Sequence, residues 1–146
     1  MSEVTIRRAT AADQGIIKQL VREESLDPTS LNWPQFLIAE RGSEVVGIGQ
    51  IRPYPACREL GSLVVKRGFR NSGVGALLVE ALLAEETGDV YLECASYNQP
   101  YYERFGFRRI PWWQAPMPLK LKAGFGQFAR LFGWRVVTMK RGVTRP

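Results

Sequence analysis

Apolar and polar residues alternate in "VTIRRA", Val4 to Ala9, and the β-branched start predicts an opening strand. The period then lengthens. In "TAADQGIIKQLVREES" the residues Ile16, Ile17, Leu20 and Val21 share one helical stripe, with Thr10 placed as its N-cap. Pro28 and Pro34 interrupt the next stretch and predict irregular chain. "QFLIAERGSEVVGIGQIRPYP" reads as two strands on either side of Arg41-Gly42-Ser43-Glu44, a hairpin, and "RELGSLVV" predicts a further strand. From about Ser72 to Thr87 an amphipathic helix is expected, stopped at Gly88, with Val74, Leu77, Leu78, Ala81 and Leu82 on its apolar face. "DVYLECAS" is the next strand. Pro100 opens a short helix that ends at Gly106, and "WRVVTMKR" closes the pattern as a last strand. Between these two, prolines mix with apolar residues, and only Phe125, Phe128, Ala129 and Phe132 suggest an amphipathic turn. Strands come first in hairpins and later between helices, which predicts one α+β domain over residues 1–146.

Composition narrows the chemistry. The 146 residues are 45% apolar and include 4 tryptophans, enough for a packed core. There is no histidine, which removes His-dependent triads and most zinc hydrolase sites, and no metal site is expected. Cys57 and Cys94 have neither metal-ligand nor redox spacing and read as buried, reduced thiols of a cytoplasmic protein. The N-terminus has no apolar signal core, and no run approaches the ~18 apolar residues of a membrane span, so no membrane partner is expected. Charge is uneven: residues 1–103 carry 10 basic and 14 acidic side chains, and residues 104–146 carry 10 basic and no acidic one, giving +6. That basic third suits nucleic acid, anionic lipid or a polyphosphate, and equally a plain solvated surface.

One junction stands out. "SLVVKRGFRNSGVGALLVEALLAEE" runs from an apolar strand through a basic turn and two glycines, Gly73 and Gly75, into the long helix. Unpartnered amides at a helix start, with no Cβ in the way, let phosphate oxygens approach, and Arg67 and Arg70 add charge. The alternative is a pair of glycines serving only the turn and the cap. The pattern is not a P-loop, because no Gly-Lys-Ser/Thr comes after it, and Leu78 stands where a dinucleotide fingerprint needs a third glycine.

R-x-x-G-x-G at Arg70 to Gly75, heading a helix after Leu63-Val64-Val65, resembles the acyl-CoA motif of the GNAT N-acetyltransferase superfamily. The resemblance extends to "IRRATAADQGIIKQL", where the family often has I-R-x-A-x-x-x-D, to "IAERGSEVVGIGQI", and to "PYYERFGFRRI", with its late F/Y-Y-x-x-x-G-F signature. It fades after Ile110. The resemblance implies a mixed, mostly antiparallel sheet of six to seven strands flanked by helices, with splayed central strands forming the acyl-CoA cleft. It implies that the backbone of Leu63, Val64 and Val65 pairs with the pantetheine arm of acetyl-CoA. The amides of Arg70, Asn71, Ser72, Gly73, Val74 and Gly75 would hold the diphosphate. Asn71 stands where many members have glycine, and asparagine tolerates left-handed backbone. Tyr102 matches the tyrosine whose hydroxyl lies near the CoA sulfur. Asn98, four residues before it, stands in for an asparagine found about seven residues before that tyrosine in the family.

Acetyl transfer to a primary amine needs a base, because a free alkyl ammonium titrates near ~10.4. With no histidine, a carboxylate is expected to serve. Glu59, at the start of the strand leading to Val64, is the first candidate and Glu93 the weaker one. An exposed strand carboxylate is the plain alternative for Glu59, and a packed aromatic the plain alternative for Tyr102. An amide at Val64 or Val65 would hold the thioester oxygen. Trp33, Tyr54, Trp112 and Trp113 would line an acceptor pocket or simply cover a core edge. The expected activity is direct attack of an amine, small molecule or peptide, on acetyl-CoA in a ternary complex, by a monomer or homodimer. Two rivals remain: a non-catalytic acyl-CoA-binding regulator of the same fold, and a nucleic-acid or ribosome-associated module using Lys120, Lys122 and Arg130.

Overall fold

A computed structural model describes residues 3–117, 119 and 135–142. The turn expected at Phe125–Phe132 and the cations Lys120, Lys122 and Arg130 lie outside the described residues. Seven strands pair in the order β1-β2-β3-β4-β5-β7-β6: β1 (Val4–Arg8), β2 (Phe36–Arg41), β3 (Glu44–Pro53), β4 (Arg58–Val65), β5 (Val90–Ala95), β6 (Arg108–Ile110) and β7 (Val136–Arg141). The pairs β1/β2, β2/β3, β5/β7 and β6/β7 are antiparallel, and β4/β5 is parallel through Arg58↔Val90 and Glu59↔Tyr91. With three flanking helices, α1 (Gln14–Glu23), α2 (Val74–Ala84) and α3 (Gln99–Glu103), this is the mostly antiparallel α+β sheet expected. The chain forms two compact units, Met1–Arg52 with Leu60–Glu85, and Pro53–Glu59 with Glu86–Pro146.

In the first unit β3 is buried over seven consecutive residues, Val46 to Arg52, because helices cover both faces of its sheet. Ile17, Leu20 and Val21 of α1 pack with Phe36, Ile38, Ile48 and Val64. On the opposite face α2 lies against Gly47 and Gly49, which alternate with Ile48. A Cβ at Gly47 would meet Leu78 Cδ1 at 3.0 Å and the Val64 carbonyl oxygen at 3.1 Å. A Cβ at Gly49 would meet Leu82 Cδ1 at 3.1 Å. The "GIG" of β3 is therefore a bare strip for helix seating. Gly47→Ala is expected to lower stability by about 1–3 kcal/mol, since a backbone oxygen cannot step aside as a side chain can; a denaturation midpoint that does not fall would refute this.

The two-residue turn Gly42-Ser43 joins β2 to β3 where expected, with Arg41 paired to Glu44 and Gly42 at φ +62°. The register then slips: Glu40 faces Val45 while Ala39 faces Gly47, and the carbonyl of the extra residue, Val46, accepts the Lys66 amide at 2.9 Å. At the first strand–helix joint Asp13 takes two bonds from Arg7, at 2.8 and 3.0 Å, and one from the Thr10 amide at 2.7 Å. Arg7 holds that carboxyl at about 2, well below its ordinary value, against the opposing effect of burial. The I-R-x-A-x-x-x-D pattern thus has a mechanical reason.

Helix α2 departs from expectation. It starts at Val74 and ends at Ala84, inside the expected Ser72–Thr87. Its buried residues are Val74, Leu78, Val79, Leu82 and Leu83, whereas Leu77, expected inside, is 43% exposed. Nearly every residue of "VGALLVEALLA" is apolar, so the pattern alone could not fix its rotation, and the glycine strip of β3 does.

In the second unit β5 is flanked by the first two residues of β4 and by β7, with the short β6 beyond β7. β6 was not expected; three residues between Gly106 and Pro111 are too few for a period to show. On one face Cys57, Tyr91, Ala115 and Leu119 form a core with Tyr54 and Ile110 packed against it. The opposite face carries Leu92, Cys94 and Met139, whose sulfur lies 3.8 Å from Cys94 Sγ.

Candidate active site

The turn between β4 and α2 is built from left-handed residues. Gly68 has φ +92°, Asn71 +62° and Gly73 +90°, and the Phe69 amide bonds the Lys66 carbonyl at 3.0 Å. Asn71 therefore adopts the backbone that glycine would supply. Ser72 Oγ donates to the Phe69 carbonyl. No heavy atom lies within 4 Å of where a Cβ on Gly73 would stand, so Gly73 is there for its φ and for an open outer surface. It caps α2 without a side-chain hydrogen bond, and Leu77 is the first amide to bond back, to the Gly73 carbonyl at 3.0 Å. The amides before it, on Val74, Gly75 and Ala76, are left facing the helix entrance, where the dipole is positive. Such a loop fits a diphosphate. The Arg70 side chain closes the loop: Nη2 pairs with Glu24 at 2.5 Å and Nε donates to the Val65 carbonyl at 3.0 Å.

Upstream, Ser62 is a buried non-glycine residue at φ +50° in the middle of β4. Its hydroxyl accepts Gln50 Nε2 at 2.9 Å and Arg52 Nη2 at 3.0 Å, and Gln50 in turn accepts Gln35 Nε2 at 2.7 Å. Such a backbone costs about 1–3 kcal/mol and persists only when its surroundings hold it. It kinks the strand just before Leu63, Val64 and Val65. Sequence reasoning missed this group, although Gln50 and Arg52, two residues apart on a strand otherwise apolar, were the available signal.

In the second unit Glu59 is 3% exposed, not the solvated strand carboxylate of the plain alternative. Tyr54 donates its hydroxyl to Glu59 Oε1 at 3.4 Å. By register Glu59 lies beside Tyr91, and Glu93 beside Thr138, all on one face. Glu93 is half-buried with its Oε1 fully so.

Tyr102 sits on α3 in an aromatic cluster, edge-on to Tyr101 at 5.2 Å and to Phe107 at 6.2 Å. Gly106, at φ +91°, turns the chain back so that Phe107 can bury. Burial raises the Tyr102 phenol well above its ordinary value, and Cys94 and Tyr101 add to this. Cys94 is itself pushed up to about 11 by burial. Tyr102 thus belongs with the Cys94 face of β5, and Glu59 and Glu93 with the other. Asn98 caps α3 by its backbone position, without a side-chain cap bond. Among the described residues no cluster of three metal-binding side chains occurs, and no helix is long and apolar enough to cross a membrane.

Known proteins match this arrangement. The acetyltransferase (GNAT) family model matches residues 8–107. An uncharacterized N-acetyltransferase of Chlorobaculum tepidum is 28% identical over 123 residues, 75% of this chain and 78% of the relative. Among solved structures, N-acetylglutamate synthase of Neisseria gonorrhoeae, complexed with coenzyme A and N-acetyl-glutamate, superposes with a TM-score of 0.78 at 18% identity, covering 99% of this chain. The chain spans 36% of that synthase. The ribosomal-protein-S18-alanine N-acetyltransferase of Escherichia coli superposes at 0.70 and 14% identity, covering 99% of this chain and 96% of that one. At such identities these structures speak for the fold.

Proposed function

The chain belongs to the GNAT acetyltransferase family, and on that premise we propose that it transfers an acetyl group from acetyl-CoA to a primary amine by direct attack. The observation that carries this is the turn at Arg70 to Gly75, whose left-handed Asn71 and Gly73 and unpartnered amides suit a diphosphate. The main chain of Leu63, Val64 and Val65, redirected by Ser62, pairs with the pantetheine arm. An amide at Val64 or Val65 holds the thioester oxygen.

In the second unit the proton carriers lie on opposite faces of β5. Glu59 takes a proton from the ammonium and passes it to water; the nitrogen lone pair forms the C–N bond; the nitrogen then sheds its second proton to water by the same carboxylate, and the C–S bond breaks with its electron pair leaving on sulfur. Tyr102 gives its proton to that thiolate and is reprotonated from water. The balance is ammonium plus thioester going to amide, thiol and one released proton. Asn98, at the head of α3, helps position the donor. The two free thiols, Cys57 and Cys94, suit a reducing cytoplasm.

Calorimetry with acetyl-CoA, paired with thiol detection across a panel of primary amines, tests the reading. Heat of binding and amine-dependent thiol release are expected. Binding without release from any amine would favour a non-catalytic acyl-CoA sensor, and no binding would end the proposal.

A further inference from the structure

At the end of α1 the first unit holds a groove of about 360 Å³ that none of the steps above uses. Lys18, Val21, Arg22 and Ser25 supply one side, spaced i, i+3, i+4 and i+7 so that they stand in a row along the helix. Leu26, Pro28 and Leu31 close the other side, and the buried Val21 and Leu31 make the bottom apolar. That second wall is set before any ligand arrives. Gln14 Nε2 donates to the Leu31 carbonyl at 2.5 Å, and Asp27 Oδ1 accepts the Thr29 amide at 2.9 Å and its hydroxyl at 2.6 Å, which brackets Pro28. The volume lies within the ~300–1,000 Å³ of small-molecule sites.

The way α1 ends says which molecule fits. The Ser25 amide bonds the Arg22 carbonyl and the Leu26 amide bonds the Val21 carbonyl, each at 3.1 Å, a stop that glycine usually makes. Here serine holds the left-handed position, at φ +53°, and lines the groove. Glycine would sit there without strain; serine accepts the strain and brings a hydroxyl. With those carbonyls taken by amides, the cations of the last turns have no capping to do. Lys18 and Arg22 are exposed, four residues apart, and repel each other. Neither forms an ion pair among the described residues, because the carboxylates around them are engaged elsewhere. Glu23 accepts Gln19, Glu24 holds Arg70, and Asp27 holds Thr29 and lies 3.9 Å from Arg52. Two cations and a hydroxyl above an apolar floor are complementary to an anion that carries hydrocarbon.

We propose that this groove binds a small monocarboxylic acid with a short apolar tail, its carboxylate held by Arg22, Lys18 and Ser25 and its tail laid on Val21, Leu26 and Leu31. Arg22 offers two parallel N–H donors that match a carboxylate, and Lys18 a point charge. Such an acid has no amine and is not an acetyl acceptor, so the inference asks nothing of the acetyltransferase reading.

Calorimetry without acetyl-CoA, using hexanoate, hexanol, acetate and inorganic phosphate, tests it. Hexanoate is expected to fill one site about tenfold more tightly than any of the other three, each of which lacks either the charge or the tail. The double variant Lys18→Gln/Arg22→Gln should weaken hexanoate about tenfold and melt no lower than the wild type, since two exposed, mutually repelling charges are removed. Ser25→Gly should weaken hexanoate about threefold while raising the melting temperature, because glycine relieves the left-handed angle as the hydroxyl is lost. No saturable binding of hexanoate, or equal affinity for hexanol, acetate or phosphate, would overturn the proposal. So would hexanoate binding left unchanged by Ser25→Gly or by the double variant, the latter placing the acid in another cleft. None of these outcomes depends on whether acetyl transfer proceeds.

Discussion

Replacing Tyr102 by phenylalanine should lower kcat tenfold or more with calorimetric affinity for acetyl-CoA nearly intact. Only the hydroxyl is removed; the ring keeps its edge contacts with Tyr101 and Phe107, so α3 should keep its place. A proton donor used in the transition state is worth on the order of 10²–10⁴ when optimal, and the softer thiolate leaving group argues for the lower end. The pH dependence separates donor from filler. Burial lifts the phenol above its ordinary value near 10, so it stays protonated, and the wild type should keep its activity through pH 10 without a fall assignable to Tyr102. A variant with unchanged turnover would remove Tyr102 from the mechanism.

Glu59→Gln is expected to cost about a hundredfold in kcat/KM for the amine at pH 7, again with acetyl-CoA binding preserved. The amide keeps the shape of the side chain and still accepts the Tyr54 hydroxyl, so the packing with Tyr91 should survive. The defect has a direction. As pH rises toward the ammonium value near ~10.4, more amine arrives already deprotonated and the missing base matters less. The ratio of wild-type to variant rate should therefore shrink steadily between pH 7 and 10. A ratio flat over that range would show that Glu59 serves structure alone, and a fall in melting temperature matching the loss of rate would say the same.

Sequence patterning reached the strands and helices that have a clean period, such as β1, α1 and the β2–β3 hairpin. It singled out the turn from Arg70 to Gly75, proposed above as the diphosphate site, and anticipated the left-handed backbone of Asn71, because backbone geometry writes itself into residue choice. It failed where several arrangements bury equally well. The rotation of α2 is set by Gly47 and Gly49, which lie on another element, and no window over 72–87 contains them. Strand β6 is held by its register with β7, which begins only at Val136. Glu59 was legible as a residue but not as a buried one, since its burial depends on Tyr54 and on Tyr91 of a later strand coming beside it. The Ser62 network was least visible of all: a serine, a glutamine and an arginine each look ordinary until the backbone between them is seen to be left-handed.

The bend at Ser62 could have been made with a glycine, and it was not. A glycine would fix the angle by its own freedom and be indifferent to its surroundings. Here the angle is held from the neighbouring strand by the amide of Gln50 and the guanidinium of Arg52. The path of Leu63 to Val65 is thereby open to adjustment from a distance: exchanges at Gln50 or Arg52 on β3 can tilt it by small steps. A protein so constructed can retune the line of that segment without substituting any residue within it.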